Sequence, residues 1–249
     1  MVTTGRSAVP PLMQMASHPL RWALLTELAV GDRRVRELAT AVDEPQNLVS
    51  YHLRLLRAAG LVAARRSSFD GRDTYYHLEL PRCAGAFAEA AAALHPALGT
   101  AAVSDAEPPA RSVLFLCTGN SARSPMAEAL LRTRGQGRVR VASAGSHPKQ
   151  QLHPGAVRIM RDEYGIDLRG IRPQGLSAVA PRRFDRVITL CDKVREFAAG
   201  QNLPTAAHWS LPDPAADGGG HRQFRELACE LDSRIGFLLP ALAASPEGS

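Results

Sequence analysis

The sequence predicts two domains of different class: an N-terminal winged helix-turn-helix domain of α+β type, and a C-terminal α/β domain with a doubly wound parallel sheet. Three observations predict this. A small, polar, proline-containing stretch at residues 99–110 separates two differently patterned halves of the 249-residue chain. Before it, three short helical patterns lead into a β-hairpin. After it, apolar β-rich runs alternate with amphipathic helices. The boundaries read as 10–98 for the first domain, 99–110 for the linker and 111–240 for the second.

In the first half, His18 to Ala29 carries Leu20, Ala23, Leu24 and Leu28 on one helical face. The polar turn 31–34 leads to a second helix, Val35 to Ala41, and the turn 42–44 to a third, Pro45 to Ala59, stopped by Gly60. Leu61 to Arg66 and Asp73 to Glu79 flank a Ser- and Gly-containing turn and read as a hairpin. In a winged helix, the helix after the turn enters the major groove of double-stranded DNA and the hairpin tip approaches the backbone. On that helix Leu48, Val49, Leu53 and Leu56 are expected to pack inward, leaving Gln46, Asn47, Ser50, Tyr51 and Arg54 to face DNA. Gln and Asn read adenine edges and Arg guanine; Arg65, Arg66 and Arg72 around the wing suit phosphates. A small interaction module with a solvated charged face is the alternative.

In the second half, Val113 to Leu116 is a short continuous apolar run, as expected of a central parallel strand. Cys117 ends it, Arg123 and Ser124 follow, and Pro125 suits the first turn of a helix. The loop between strand and helix therefore ends at a helix N-terminus, where unpaired N–H groups and the dipole favour an anion. The same donors stabilise a thiolate, so Cys117 is expected to have a lowered pKa and to act as a nucleophile. Arg123 supplies a planar fork for two oxygens of phosphate or arsenate. Thr118, Gly119, Asn120, Ser121, Ala122, Arg123 and Ser124 are the expected oxyanion-binding residues: Gly119 for close backbone approach, Asn120 for left-handed geometry, and Ser124 as a donor to the sulfur.

Further strands are expected at Val139 to Ala142, Arg186 to Leu190 and Ala206 to Trp209, with helices at His153 to Tyr164 and His221 to Leu239. In such a sheet the site lies at the C-terminal strand ends. Asp213, in a loop after a strand, can present a carboxylic acid to a leaving oxygen, although Asp-Pro is also a common turn. Cys191 ends a strand, where a second thiol can attack the first, with simple packing as its alternative. Cys229 reads as structural.

The four cysteines are widely spaced with no CxxC pair, which excludes a disulfide or zinc framework. No apolar stretch approaches the ~18 residues that span a bilayer, and the N-terminus lacks a secretory pattern. A soluble, cytoplasmic protein with no membrane contact is expected, its cysteines free thiols. Net charge is +6, all of it on residues 111–249, which suits attraction of an anionic substrate. Only Lys149 and Lys193 are lysines, a preference for arginine that reads as compositional bias.

Residues 10–98 resemble the ArsR/SmtB family of metal-responsive repressors, through His18 to Leu25, Val35 to Ala39, Leu48 to Val62 and Tyr75 to Leu78. The resemblance implies a homodimer through the N-terminal domain on a palindromic operator, with Cys83 to Leu98 as the dimer helix. Arsenic-sensing members carry Cys-Val-Cys where this chain has Arg34, Val35 and Arg36, so arsenite sensing is not expected there. Cys83, His77 and His95 are candidates for another ligand, with packing as the more ordinary reading.

Residues 111–240 resemble the low-molecular-weight tyrosine phosphatases, specifically their arsenate reductase branch. The resemblance implies Cys117 as nucleophile, Arg123 and the loop amides as oxyanion binders, Ser124 as thiolate support and Asp213 as general acid. Asn120, Glu128 and Ser143 match positions that support the loop and, in some reductases, a potassium ion; Gln174 stands near an Asp ligand of that ion. Ala215 and Ala216 replace the aromatic wall that phosphatases place after Asp-Pro, and Cys191 is a thiol they lack. The third cysteine of thioredoxin-coupled reductases is Ala198 here, and Ala122 replaces a frequent loop cysteine. Resolution by Cys191 or by a small thiol follows, with no tightly bound cofactor and an external reductant of small-thiol, thioredoxin or glutaredoxin type. The expected function is an ArsR-type regulator fused to an arsenate reductase-like enzyme. A tyrosine phosphatase with a DNA-binding domain, or a repressor whose second domain only senses oxyanion or redox state, are the alternatives.

Overall fold

The computed structural model describes residues 10–95, 111–179, 183–201, 203, 205 and 207–244. The linker expected at 99–110 lies outside the described residues. Two compact units emerge, one holding residues 10–65 and 74–95 and the other holding residues 66–73 and those from 111 on.

The N-terminal unit runs α1 (Pro11–Ala16), α2 (Pro19–Val30), β1 (Arg33–Arg34), α3 (Val35–Val42), α4 (Gln46–Ala58), β2 (Val62–Arg66), β3 (Thr74–Leu78) and α5 (Leu80–Leu94). Each helix starts and stops for a local reason. The His18 Nδ1 accepts the Leu20 N–H (3.2 Å) and Pro19 opens α2. Glu37 reaches back to the Arg34 N–H (2.8 Å) to cap α3, which ends on Asp43 in the left-handed region. Leu20, Leu24, Leu25, Leu28, Leu38, Val49, Leu53 and Leu56 form the core. Leu25 thus takes the buried place expected for Ala23.

Helix α1 and strand β1 carry no sequence signal strong enough to predict. The two-residue β1 pairs antiparallel with β3, Arg33 opposite Tyr76 and Arg34 opposite Tyr75, in a sheet of order β1-β3-β2. The helix expected from Cys83 to Leu98 begins earlier, at Leu80, and stops at Leu94; His95 is extended and 96–98 lie outside the described residues.

The C-terminal unit runs β4 (Ser112–Cys117), α6 (Arg123–Arg134), β5 (Arg140–Gly145), α7 (Pro154–Tyr164), β6 (Arg186–Thr189), α8 (Asp192–Gly200), β7 (Ala207–His208) and α9 (His221–Ala244). The sheet order is β5-β4-β6-β7, all parallel. Every residue of β4 is buried, as a central strand covered on both faces requires. Helices α6 and α7 both pack on α9, while α8 packs on β4 and β6. Strand β5 runs three residues past the expected Ala142 because its pairing with β4 continues to Cys117 opposite Gly145. Helix α9 runs past the expected Leu239, through Pro240, and carries Leu242 into the core.

Candidate functional site

Cys117 is the last residue of β4 and Arg123 the first of α6, so the intervening loop crosses the C-terminal edge of the sheet. Asn120 adopts φ +42°, the left-handed geometry expected of it. The loop is held from outside. The carbonyls of Cys117, Thr118, Gly119 and Ser121 accept the N–H groups of Ser146, His147, Lys149 and His153, at 3.3, 2.8, 2.9 and 2.8 Å. Inside, the Asn120 N–H donates to the Cys117 Sγ at 3.2 Å, and the Ser124 Oγ lies 3.0 Å from the same sulfur. The Asn120 amide donates to Ser124 Oγ (2.9 Å) and Ser143 Oγ (2.8 Å), and its Oδ1 accepts the Gln174 N–H (2.8 Å).

Within the protein itself, a second glycine is held by close backbone packing. A Cβ on Gly119 would stand 3.3 Å from Ser121 Oγ, whereas one on Gly145 would stand 2.7 Å from the Thr118 carbonyl and 2.9 Å from the Asn120 nitrogen. Gly145 lies in β5 beside Cys117, so this requirement comes from strand pairing and is invisible in the loop's own sequence.

Full burial pushes the Cys117 thiol above its ordinary value; the Arg123 guanidinium and the Ser124 hydrogen bonds pull the other way. The balance runs against the lowered pKa expected from the helix terminus alone. A negative charge on Cys191 would raise it further, since that thiol lies within electrostatic reach. Cys191 is buried, stands just before α8 with no side-chain cap bond, and its Sγ is 3.3 Å from Thr118 Oγ1.

The buried Arg123 donates from Nη1 to the Leu211 carbonyl (3.1 Å) and from Nη2 to Asp213 Oδ2 (3.2 Å). Asp213, half exposed, also accepts the Ala215 N–H. Cys117, Thr118, Gly119, Ser121, Ala122, Arg123, Cys191 and Asp213 line one pocket. The fold thus brings together residues 74 and 96 positions beyond Cys117 in sequence.

Glu128 does not join them. Its carboxylate pairs with Arg132 on the same helix. Gln174 donates to the Ser143 carbonyl (2.8 Å) and to Asn120 Oδ1, tying the loop to β5.

Sequence reasoning missed five residues that line the same pocket: Ser68, His147, Lys149, His153 and Lys193. His153 caps α7 through Nδ1 (3.1 Å to the Gly155 N–H) and stacks on Phe224. Burial, and then the charge of Lys149, hold its pKa below the ordinary value, against a smaller opposing pull from Asp213. The rarity of lysine was the available signal for Lys149 and Lys193.

It also missed a buried polar network next to Cys191. Asp192 Oδ1 accepts Ser210 Oγ at 2.8 Å and lies 3.1 Å from His208 Nε2. Burial works to raise its pKa, but hydrogen bonds from His208, the Ser68 N–H and Ser210 outweigh it and hold the carboxylate well below its usual range. Its stabilisation is therefore present above the ordinary carboxylate pKa and fades only in strong acid. Asp192→Ala is expected to cost about 3–5 kcal/mol by leaving buried donors unpaired, lowering the thermal midpoint of this unit on the order of 10 °C; calorimetry checks it.

On α4, Gln46, Asn47, Ser50, Tyr51 and Arg54 are exposed. Arg54 stacks on Tyr51, 5.4 Å from the ring centroid. Leu48, expected inside, is 37% exposed, and His52 is buried in its stead. The reason is helical phase: Val49, His52, Leu53 and Leu56 share one stripe, and Leu48 sits about 100° off it. Arg66 and Arg72 are exposed at the hairpin, while Arg65 is half-buried.

Among the described residues no helix is long and apolar enough to cross a membrane. The family model for low molecular weight phosphotyrosine protein phosphatase matches residues 112–247, and that for bacterial regulatory protein, arsR family, matches residues 18–64. The glutaredoxin arsenate reductase of Synechocystis sp. is 31% identical over 140 residues, 53% of this chain and 99% of its own length. The HTH-type transcriptional repressor SmtB of Mycobacterium tuberculosis is 41% identical over 71 residues, 28% of this chain and 50% of its own. A solved structure described as an arsenate reductase in the phosphate binding state is 32% identical, with a TM-score of 0.45, covering 53% of this chain and 98% of that one. The chain belongs to the low molecular weight phosphotyrosine protein phosphatase family, and it carries an ArsR-type helix-turn-helix fused ahead of an arsenate reductase-like domain.

Proposed function

We propose that the C-terminal domain, taken as residues 111–240, reduces arsenate to arsenite, and that the N-terminal domain, 10–98, joined through 99–110, places this chemistry under or beside gene control. The observation that carries the reading is two thiols on one oxyanion pocket. Cys117 Sγ sits within 3.0–3.2 Å of Ser124 Oγ and the Asn120 N–H, and Cys191 lines the same cavity.

The steps follow from that arrangement. The Cys117 thiol passes its proton to the incoming arsenate dianion, the resulting thiolate bonds to arsenic, and one arsenate oxygen leaves as water with a proton from Asp213. An oxyanion gripping the Arg123 fork competes with Asp213 for Nη2, which frees the carboxyl group to take and give that proton. The Cys191 thiolate then attacks Cys117 Sγ. A disulfide forms, the S–As electron pair stays with arsenic, and As(V) leaves as As(III). An external dithiol, or two small thiols, reduces the disulfide and is itself oxidised.

Arsenate turnover with glutathione, thioredoxin and glutaredoxin as electron donors tests this. Arsenite release by the parent chain supports it, and Cys191→Ser is expected to lose dithiol-driven turnover while keeping any hydrolysis of aryl phosphate. Ready hydrolysis of aryl phosphate without arsenate reduction makes the domain a phosphatase instead; Asp213 beside Arg123 on the Asp-Pro loop serves a phenolate leaving group equally well. If neither substrate turns over and oxidation alters operator binding, the domain is a sensor.

For the N-terminal domain, the exposed row Gln46, Asn47, Ser50, Tyr51 and Arg54 is read as the face that enters the major groove, with Arg65, Arg66 and Arg72 at the backbone. Homodimerisation through α5 is supported by the exposed Phe87 and Leu94 on that helix. Arg54→Ala is expected to weaken operator binding by about 1–3 kcal/mol; unchanged affinity at physiological salt refutes this docking. The setting is the reducing cytoplasm, where free thiols persist.

A further inference from the structure

We infer that Lys149 and Lys193 are steering residues, which draw small inorganic dianions to the mouth of the Cys117 loop and release them to Arg123. The inference rests on the oxyanion reading of that loop and names the class of anion it selects.

Of the 30 lysines and arginines in the chain, two are lysines, and both line the pocket that holds Cys117 and Arg123. Their placement is specific. The Lys149 N–H is bonded to the Gly119 carbonyl (2.9 Å), and its stem runs over the loop, with Cγ 3.4 Å and Cε 3.6 Å from where a Cβ of Gly119 would stand. The loop thereby carries the amine at its own rim. Lys149 also depresses the pKa of His153, another wall residue, so its charge is felt within the pocket.

Lys193 is the second residue of α8, two positions after Cys191. A cation in the first turn opposes the helix dipole, so helix stability does not account for it. Both side chains are exposed and neither forms an ion pair with a described residue. Asp213 is engaged by Arg123 and Asp192 is buried against His208, while Glu196, one turn on from Lys193, is not paired with it. The two amines therefore present uncompensated positive charge at the rim.

The choice of lysine has a physical reason. An arginine at the rim would offer a planar fork that binds a tetrahedral oxyanion bidentately, in competition with Arg123. A lysine is a compact, hydrated point charge on a flexible stem; it attracts at range and holds weakly. Two lysines at this one place, in a chain that uses arginine elsewhere, suit attraction without capture. The rest of the wall agrees with a small substrate: Ala215 and Ala216 line it, and no phenylalanine, tyrosine or tryptophan does among the described residues.

The test uses the full chain and inorganic phosphate as probe. Iodoacetamide is neutral, and phosphate protection of Cys117 against it, followed on the Cys117 peptide, reports phosphate affinity without requiring turnover. In K149Q/K193Q, protection is expected to weaken roughly tenfold, and its dependence on ionic strength to flatten. In K149R/K193R, phosphate is expected to bind more tightly while arsenate turnover at saturation slows, kcat and KM falling together. Unchanged protection and an unchanged salt slope in the glutamine pair overturn the inference, as does an arginine pair that turns over at the parent rate. If the parent chain fails to reduce arsenate while the glutamine pair loses protection, the reductase reading falls and steering stands. Both residues are exposed, and matching thermal midpoints confirm that the variants fold.

Discussion

Cys117→Ser is expected to abolish arsenate reduction and any phosphate-ester hydrolysis, by about 10⁴-fold or more. A serine hydroxyl fits the same hydrogen bonds, to Ser124 Oγ and from the Asn120 N–H, so the loop keeps its shape. It lacks the acidity and polarisability of the thiol, and burial makes an alkoxide there less accessible still. It also cannot form the sulfur–sulfur bond that sends two electrons to arsenic. The measurements are turnover with each substrate and phosphate binding by calorimetry, with rate lost and binding retained. Retention of arsenate reduction would sink the assignment of Cys117 as nucleophile.

Arg123→Lys is expected to lower kcat/KM by about 10²–10³, for arsenate and aryl phosphate alike. The buried guanidinium is oriented by two separate acceptors, the Leu211 carbonyl and Asp213 Oδ2, on a segment 88 to 90 residues further along the chain. A lysine keeps the charge and loses the fork, so it can satisfy one of these acceptors or one substrate oxygen, but not the planar set. Electrostatics alone would predict a small loss; a loss below tenfold would mean that charge, and not bidentate geometry, is what the loop uses. Steady-state kinetics on both substrates decides it.

Legibility in the sequence tracked distance along the chain. The Cys117–Ser124 loop was readable because strand, turn glycine, left-handed Asn120, arginine and helix start are consecutive, and each has a local preference that agrees with its neighbours. The helix-turn-helix was readable for the same reason. Residue type alone puts Leu48 inside, but the helix turns about 100° per residue, and His52 belongs to the buried stripe while Leu48 does not. Gly145 escaped notice because what crowds it, the Thr118 carbonyl, is supplied by the neighbouring strand. The direction of the Cys117 pKa was misjudged because the helix terminus is local and visible, whereas burial is a property of the packed domain.

The sequence by itself determined that an ArsR-type region precedes a phosphatase-like one, and the parallel α/β class of the latter, since these rest on periodicity and on contiguous motifs. Only the tertiary structure decided which distant groups serve the loop. Asp213 meets Arg123, Cys191 meets Thr118, and the two lysines share one rim because parallel strands deliver their C-terminal ends to the same edge of the sheet. Periodicity shows which elements form a sheet, but which loop faces which is set by the order and register of the strands, and those are held by long-range hydrogen bonds with no local signature.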